Sequence, residues 1–271
     1  MKIRAVKESE LEDMIRLQCE VFRPNGYERY HGYVYDDPTY LLDQTRVVDV
    51  DGRVVSTLRV WERRLRIGAS IVRMAGIGGV CTRPDDRGNG YATALMRDTV
   101  GYMQGMGYDV GMLFSEIPCT FYRKLGWGSI PLQEFRLQRM RSVEVPSSDW
   151  EIRPFDEKSD LDQAIRLYDG FNAALSGTIV RTPSYWDSGP SRIGGVMPTV
   201  VAAHQDKIGG YVNYSVRDDR VSVNEYASEG NDSIVQRALA GHVLEVSEEA
   251  GIDTLEGPIP HLDPFVQALT D

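Results

Sequence analysis

Four consecutive residues, Arg87-Gly88-Asn89-Gly90, stand between a run of valines and glycines and an amphipathic stretch. The apolar residues of that stretch recur at helical spacing, which predicts that a helix begins directly after Gly90. The first turn of a helix offers unpaired backbone N–H groups and a partial positive charge. Glycines let the backbone approach a ligand closely, and an arginine adds a fork of donors for phosphate oxygens. These residue types in this order therefore predict a site that binds a phosphate or diphosphate group.

Three phosphate-binding patterns can be tested against this stretch. The P-loop requires G-x-x-x-x-G-K-[ST], and the chain has no lysine at the required place. The dinucleotide pattern G-x-G-x-x-G fails at its last position, which is Thr93, and antiparallel hairpins rather than a βαβ unit are predicted before it. The third pattern, R/Q-x-x-G-x-G/A, is matched in full from Arg87 to Ala92.

A second motif lies downstream, in the segment PCTFYRKLGWG from Pro118 to Gly128. The two motifs together resemble the GNAT superfamily of N-acetyltransferases, in which R/Q-x-x-G-x-G/A binds acetyl-CoA and F-Y-x-x-x-G-[FW] follows it. A repeated layout, described below, and the segment LFSE at 113–116 are similar to the enhanced intracellular survival (Eis) acetyltransferases. The sequence ends at Asp271, so we do not expect the third, sterol-carrier-like domain of that family.

The resemblance implies acetyl-CoA as co-substrate and assigns its parts by position. The strand end before the first motif would bind the pantetheine arm, the helix start would bind the diphosphate, and the next strand end would flank the cofactor. The implied cofactor-binding residues are Val80, Cys81, Thr82, Arg87, Gly88, Asn89, Gly90, Tyr91, Ala92, Thr93 and Ser115. The preceding glycines, Gly76, Gly78 and Gly79, are consistent with a bulge that admits a ligand and equally with a twisted strand packed against its neighbour.

Tyr122, within the second motif, is the candidate general acid. Acetyl transfer from a thioester releases a thiolate, and a tyrosine with a pKa of about 10 can protonate a thiolate whose thiol has a pKa of about 8.5. The structural alternative is a ring packed under the sheet, which suits Phe121 better. Glu116 is a second catalytic candidate at the strand end, with a solvated carboxylate as the alternative. The general base stays open, and the candidates by residue type are Glu116, Glu28, His31 and Glu62.

The elements predicted around these motifs occur twice along the chain. Residues 1–140 predict a strand, a helix, two hairpins, a helix and a strand, with Asp51-Gly52 and Gly68-Ala69 at the hairpin turns. Residues 150–271 predict the same order, and residues 141–149 are interpreted as a linker. We therefore predict an α/β protein (α+β, with mixed sheets) made of two tandem GNAT-like domains, the first of them catalytic.

The second predicted domain lacks the phosphate motif and is interpreted as degenerate. Where the first domain reads CTRPDDRGNGYATAL, the second reads ASEGNDSIVQRAL, with Glu229 and Asp232 near the start of its helix. Carboxylates at this place favour the helix dipole but repel a phosphate.

An aromatic-rich stretch, FRPNGYERYHGYVYDDPTY at 22–40, follows the first predicted helix. It is interpreted as a connecting loop whose tyrosines either cover the core or form the lip of a substrate cleft. The helix before it is expected to begin with a capping box of Ser9 and Glu12.

The composition restricts the classes of function. The formal net charge of −10 opposes binding to nucleic acid and favours a cationic acceptor, although it also serves solubility. No stretch approaches the ~20 apolar residues of a membrane span, so no membrane partner is expected. Three scattered cysteines and four histidines without zinc-ligand spacing predict a cytoplasmic protein with no disulfide and no metal. A nucleophilic Cys81 or Cys119 is not favoured, because cysteine is common as a small buried residue.

The sequence thus predicts an acetyl-CoA-dependent N-acetyltransferase that acts on a primary amine of a small molecule or peptide. The expected mechanism is direct attack by the amine, with a tyrosine as general acid. A non-catalytic protein that senses acyl-CoA through the same motif is the alternative, and a transferase with another acyl donor is a third. The identity of the acceptor and the formation of a homo-oligomer stay open.

Overall fold

The structure, a computed structural model, describes residues 1–115, 117–138, 149–187, 197–230 and 232–270. Its first helices and strands are β1 (Lys2–Ala5), α1 (Leu11–Phe22), α2 (Tyr27–Tyr35), β2 (Thr45–Val50), β3 (Arg53–Ile67), β4 (Ser70–Thr82), α3 (Tyr91–Gly105), β5 (Val110–Leu113) and α4 (Thr120–Arg123). The remainder are β6 (Phe135–Gln138), β7 (Glu151–Pro154), α5 (Glu157–Asn172), β8 (Ile179–Val180), α6 (Pro183–Asp187), β9 (Thr199–His204), β10 (Lys207–Val216), β11 (Val221–Ser228), α7 (Ser233–Glu249), β12 (Thr254–Gly257) and α8 (Pro264–Ala268).

The chain divides into two compact units that exchange segments. The first unit contains Met1–Ser129 and Ser176–Arg192, and the second contains Ile130–Leu175 and Ile193–Asp271. The predicted domains, 1–140 and 150–271, differ from these units because β6 pairs with β12 in the second sheet and β8 pairs with β3 in the first. Pairing between strands that are distant in sequence decides both placements, and no local pattern reports it. Of the predicted linker, residues 141–148 lie outside the described residues.

The sheet of the first unit has the strand order β1-β2-β3-β4-β5, with β8 added to β3. All its pairs are antiparallel apart from β4 with β5, which is parallel. The predicted hairpin turns are present, and Asp51, Gly52 and Gly68 have φ angles of 53°, 84° and 56°. Positive φ at both central residues of a two-residue turn matches the twist of the paired strands.

Helices cover both faces of this first sheet. Val47 packs with α1 and α2 in one core, whereas its neighbour Val48 packs with α3 in another. Successive residues of a strand point to opposite faces, so α1 and α2 lie on one face and α3 lies on the other. We call these the α1/α2 face and the α3 face.

The aromatic stretch that was predicted as a loop contains a helix, α2. Tyr27, Tyr30, His31 and Val34 recur at helical spacing, and the helix buries Tyr30 and Val34 in the core of the α1/α2 face. The loop prediction was wrong because dense tyrosines and one glycine concealed this period.

The predicted capping box of Ser9 and Glu12 is also absent from the described structure, since α1 begins at Leu11. The Glu10 carboxylate accepts the Lys7 N–H at 2.9 Å and pairs with Arg4 of β1 at 2.7 Å. The second unit has an equivalent arrangement, in which Asp160 of α5 pairs with Arg153 of β7 at 2.6 Å.

The sheet of the second unit has the order β6-β12-β11-β10-β9-β7. Again one pair, β11 with β12, is parallel, and the other pairs are antiparallel. A helix, α7, connects these two parallel strands, as α3 connects β4 and β5. The prediction of two tandem copies of one mixed α/β fold is confirmed at the level of topology.

Candidate functional site

The Arg87–Gly90 stretch forms an open turn at the start of α3. Gly88 and Gly90 have φ angles of 83° and 77°, in the left-handed region that glycine adopts without strain. A Cβ added at either residue would meet no described atom within 4 Å. Gly90 is the N-cap of α3, and no described side chain caps that helix. Its first amide groups are therefore available to a ligand above the two glycines.

The corresponding helix start in the second unit is closed by its own side chain. The Asp232 carboxylate accepts N–H groups from Ile234 at 2.9 Å and from Val235 at 3.4 Å. This capping satisfies the donors that α3 leaves open, and its negative charge opposes an anion. The structure therefore supports the interpretation that the second copy lacks the phosphate site.

The remaining residues of the first motif differ in what they offer a ligand. Arg87 is exposed, and its Nε donates to the backbone oxygen of Thr82 at 3.4 Å. Asn89 Nδ2 donates to the backbone oxygen of Asp86 at 3.0 Å, so this side chain stabilises the turn. The predicted residues Tyr91, Ala92 and Thr93 form the half-buried first turn of α3.

Strands β4 and β5 diverge beside this turn. Their pairing runs from Met74–Val110 to Ile77–Leu113, whereas β4 continues along β3 to Thr82. The edge of β4 at 80–82 therefore has no strand partner on that side among the described residues. Backbone groups left unpaired in this way are available to an extended ligand.

A β-bulge interrupts the pairing of β4 with β3 at the same place. Thr57 pairs with Cys81 and Arg59 with Gly78, so two residues of β4 oppose Leu58 alone. Gly79 has a φ of 63°, which the bulge requires of it. Of the two alternatives for these glycines, the structure has the bulge.

Cys81 can serve a ligand only through its backbone. Its side chain is buried in the core of the α1/α2 face, and burial raises the pKa of its thiol to about 12 despite the nearby Arg83 and Arg87. The thiol is therefore neutral at physiological pH, which argues against a nucleophilic role. Ser56 Oγ donates to the Cys81 carbonyl at 2.8 Å and lies 2.9 Å from Thr82 Oγ1, which fixes the strand end.

Tyr122 lies in α4, and the structure brings it together with Ser115, which follows β5. Tyr122 is buried in the core of the α3 face, with its ring edge-on to Phe121 at 4.9 Å. Burial raises the pKa of Tyr122, and a side-chain hydrogen bond with Ser115 opposes that rise without cancelling it. The phenol is therefore protonated at neutral pH and can donate a proton. The other catalytic candidate, Glu116, lies outside the described residues.

The further candidates for the general base have other partners. Glu62 pairs with Arg73 at 3.3 Å and accepts a hydrogen bond from Tyr108 at 3.1 Å. His31 stacks on Tyr35 with ring centroids 4.3 Å apart. Glu28 lies in the first turn of α2. The general base therefore stays open among these candidates.

The sequence analysis missed a polar cluster on the α1/α2 face of the bulge. Gln18 of α1 is 6% exposed, at a position where the helical period calls for an apolar residue. Trp61 of β3 lies over Gly76 and Gly78 of β4. A buried glutamine on the apolar side of a helix was the signal available in the sequence, whereas the placement of Trp61 depends on the pairing of β3 with β4.

Behind Trp61 lies a buried ion pair. Arg59 and Asp37 are 2.8 Å apart, with side chains 5% and 1% exposed, and Arg63 approaches the same carboxylate at 3.7 Å. The Arg59 guanidinium stacks between Trp61 and Tyr40, at 3.5 and 4.6 Å from the ring centroids. Burial lowers the pKa of Arg59 to about 10 although Asp37 favours its charged form, so it stays a cation at neutral pH.

Two searches of the described residues gave negative findings. No three His, Cys, Asp or Glu side chains there form a group that could hold a metal ion. Within the same residues, no helix has both the length and the hydropathy that crossing a bilayer requires.

Solved structures with the same fold cover almost the whole chain. A probable N-acyltransferase from Enterococcus faecalis V583 has a TM-score of 0.73 and 18% identity, over 94% of this chain and 64% of that one. A GCN5-related N-acetyltransferase from Kribbella flavida has a TM-score of 0.71 and 20% identity, over 97% of this chain and 65% of that one. Eis1 from Mycobacterium abscessus has a TM-score of 0.68 and 21% identity, over 98% of this chain and 68% of that one. The chain thus spans about two thirds of the length of these proteins, and at such identities the likeness establishes the fold alone.

Sequence comparison identifies the first unit more directly. No curated protein sequence matches the chain. The family model for an acetyltransferase (GNAT) domain matches residues 2–130, which include both motifs, the open turn and the divergent strands. Residues 2–130 are therefore similar in sequence to GNAT acetyltransferase domains.

Proposed function

We propose that this protein is an acetyl-CoA-dependent N-acetyltransferase that acts on a primary amine of a small molecule or peptide. The observation that carries the proposal is the open turn at Gly88 and Gly90, whose free amide groups lie at the start of α3 beside the divergence of β4 and β5. A diphosphate group fits this turn, because the turn combines open space, unpaired donors and Arg87.

The remaining parts of acetyl-CoA have partners close by in the chain. The Arg87–Thr93 segment would bind the diphosphate, the edge of β4 at Val80–Thr82 that faces away from β3 would bind the pantetheine arm, and Ser115 would flank it at the end of β5. When bound, acetyl-CoA supplies an acetyl group activated as a thioester. The bulge at Gly79 exposes backbone close to where that group would lie.

Tyr122 acts as the general acid in this proposal. The acceptor amine forms a C–N bond with the acetyl carbon as the C–S bond breaks, the amine loses a proton to a base or to water, and the departing thiolate takes the Tyr122 proton. Burial, which raises the pKa of Tyr122, keeps that proton in place until the thiolate forms.

Binding of acetyl-CoA to the full chain, measured by calorimetry, tests the site. The double variant Arg87→Ala/Gly90→Ala removes the guanidinium and strains the turn, so we expect its Kd to rise about 100-fold. Arg97→Ala, which removes an exposed arginine later in α3, is the matched control and should keep the original Kd. An unchanged affinity in the double variant would refute the proposed site.

Catalysis is tested separately from binding. Incubation with acetyl-CoA and a panel of primary amines, followed by detection of free thiol, should give CoA release that depends on the amine. A protein that binds acetyl-CoA but releases no thiol with any amine would be the acyl-CoA sensor instead.

A further inference from the structure

Two side-chain nitrogens converge on the bulge of β4 from the α1/α2 face. A Cβ added at Gly79 would lie 2.6 Å from Gln18 Nε2, and one added at Gly78 would lie 3.0 Å from Trp61 Nε1. Gln18 belongs to α1, and Trp61 packs edge-on against Tyr33 of α2 at 5.1 Å. A side-chain amide and an indole N–H therefore flank one short piece of backbone.

Neither of these polar groups has a hydrogen-bond partner among the described residues. The Gln18 side-chain amide and Trp61 Nε1 form no hydrogen bond with any residue that the structure describes. Gln18 is nevertheless 6% exposed. The amide atoms of Gln18 keep contact with solvent within this largely buried side chain, so a ligand can replace water as their hydrogen-bond partner.

The direction of the Trp61 indole is fixed by the residues around it. Tyr33 packs against one part of the ring, and the Arg59 guanidinium stacks at 3.5 Å from its centroid. Arg59 is itself held by Asp37 at 2.8 Å. A donor supported in this way presents its N–H without a further loss of side-chain freedom on binding.

The charge behind Trp61 favours one class of ligand. Arg59 and Arg63 share the single carboxylate of Asp37, and these three side chains are 5%, 12% and 1% exposed. Two cations and one anion leave a net charge of +1 in a region of low dielectric. That charge attracts a carboxylate and repels a second ammonium group.

This inference rests on the proposed function, because it concerns the acceptor of the same reaction. The open turn belongs to α3, on one face of the sheet, and Gln18 and Trp61 lie on the other. An acceptor that meets the acetyl group at the divergence of β4 and β5 from the α1/α2 face comes into contact with both nitrogens.

We propose that Gln18 and Trp61 are specificity-determining residues that donate hydrogen bonds to an oxygen of the acceptor. The acceptor is then an amine that carries a carboxylate near its nitrogen, as amino acids do. This class differs from the cationic acceptor that the net charge of the whole chain favours.

Matched pairs of amines test the acceptor class with the full chain and acetyl-CoA. Each pair consists of an amino acid and the amine left by its decarboxylation: lysine with cadaverine, phenylalanine with phenethylamine, and glycine with methylamine. Thiol release should give a kcat/KM at least tenfold higher for the carboxylate-bearing member of the pair that the protein accepts.

Two substitutions test the residues. Gln18→Leu keeps nearly the same side-chain volume, Trp61→Phe keeps an aromatic ring, and both remove the donor; each should raise KM for the preferred acceptor about tenfold with kcat changed less than twofold. Both variants should lose most of the discrimination within the pairs and retain the Kd for acetyl-CoA. Gln104→Leu, which replaces an exposed glutamine of α3, is the control and should alter none of these values.

Two readouts do not depend on turnover. Quenching of tryptophan fluorescence by the preferred acceptor, in the presence of CoA, should report its binding and weaken in Gln18→Leu. The melting temperature of Gln18→Leu should not fall below that of the parent protein, because the substitution removes no hydrogen bond between described residues. A lower melting temperature with unchanged KM would make Gln18 a structural residue and overturn its assignment.

The remaining outcomes separate the two proposals. A preference for the decarboxylated amines, or full discrimination in both variants, would overturn the acceptor assignment and leave acetyl transfer intact. Binding of acetyl-CoA without thiol release from any amine would contradict the proposed function and the acceptor assignment together.

Discussion

The environments of single residues in the first unit suit the separate roles of binding and proton transfer that we propose for them. The exposed Arg87 and the open glycines after it suit an anion, whereas the buried Tyr122 suits a group that must hold a proton at neutral pH. The Cys81 thiol is not expected to act as a nucleophile, because burial raises its pKa to about 12. Burial, rather than residue type alone, separates these roles.

Substitution of Tyr122 by Phe tests the proton donor. The variant keeps the ring in the core and loses the hydroxyl, so kcat should fall about 10²–10⁴-fold with a modest change in KM. Tyr102→Phe is the control, because Tyr102 is another partly buried tyrosine and its hydroxyl donates to Asp43 at 3.2 Å. Steady-state kinetics measures both variants, and an unchanged kcat in Tyr122→Phe would remove Tyr122 from the mechanism.

The same tyrosine predicts the shape of the pH profile. Because burial raises the pKa of Tyr122 above its ordinary value of about 10, its acid form should persist through neutral and moderately alkaline pH. We therefore expect that ionisation of Tyr122 causes no decrease in the kcat of the parent protein between pH 7 and 9. A decrease in kcat between pH 7 and 9 that occurs in the parent protein and is absent from Tyr122→Phe would contradict the burial argument.

The elements around the proposed site repeat in the two units, and the two helix starts differ in what they offer a ligand. Helices α3 and α7 occupy equivalent places, yet Gly90 precedes one and Asp232 caps the other. The start of α3 has no side-chain cap among the described residues, whereas the start of α7 is capped by Asp232.

Asp232→Ala tests this interpretation of α7. Loss of the carboxylate oxygen that accepts two N–H groups should lower the free energy of unfolding by about 0.5–2 kcal/mol, as for other N-cap deletions. Urea denaturation measures the change, and calorimetry should detect no second site for acetyl-CoA in the variant. Exposed Asp162→Asn provides the control for an unrelated acidic substitution in the same unit.

The strand-to-helix ion pair of the second unit predicts an acid limb of stability. Burial raises the pKa of Asp160, but hydrogen bonds from Arg153, Ser159 and the Asp156 N–H outweigh it and lower the pKa overall. A carboxyl with a lowered folded-state pKa contributes stability above its unfolded pKa of about 3.9 and loses it as the pH falls.

Asp160→Asn should therefore cost about 2–3 kcal/mol at pH 7 and progressively less below pH 4, where the unfolded state binds a proton that the folded carboxylate resists. Chemical denaturation at several pH values measures the difference. A difference that stays constant from pH 7 to pH 2 would mean that packing, and not charge, is what Asp160 provides.

The sequence predicted those parts of the fold and the site that depend on neighbouring residues. The turn at Asp51-Gly52 and the start of α3 follow from local residue types and were predicted. Helix α2 was missed because tyrosines spread around its surface concealed the apolar stripe. The bulge at Gly79 was one of two alternatives, and the contacts of Gln18 and Trp61 depend on how α1 and β3 pack on β4, which no local pattern contains.

At the scale of the whole molecule, the chain passes between the two units after residues 129, 175 and 192. The segment Ser176–Arg192 therefore belongs to the unit that carries the proposed site, although it follows α5 of the other unit. Its β8 pairs with β3 at Arg64 and Leu65.

Hydrogen exchange with and without acetyl-CoA tests this assignment. A ligand present at 100 times its Kd stabilises the unit that binds it by about 2.7 kcal/mol. Amide exchange should slow in β4, α3 and β8, and remain unchanged in α5, which is adjacent to β8 in sequence. If acetyl-CoA slowed amide exchange equally in α5 and β8, or in neither β4 nor β8, the assignment of β8 to the unit with the proposed site would be contradicted.

The interleaving of the two units also constrains how the protein is made. During synthesis, β6 leaves the ribosome long before its partner β12, and β3 waits in the same way for β8. Neither sheet can gain its last strand until distant sequence has been translated, so an unpaired strand edge persists in each nascent half. Completion of the second sheet consequently waits until β12 has left the ribosome, and until then the growing chain is a natural client for chaperones that shield such edges.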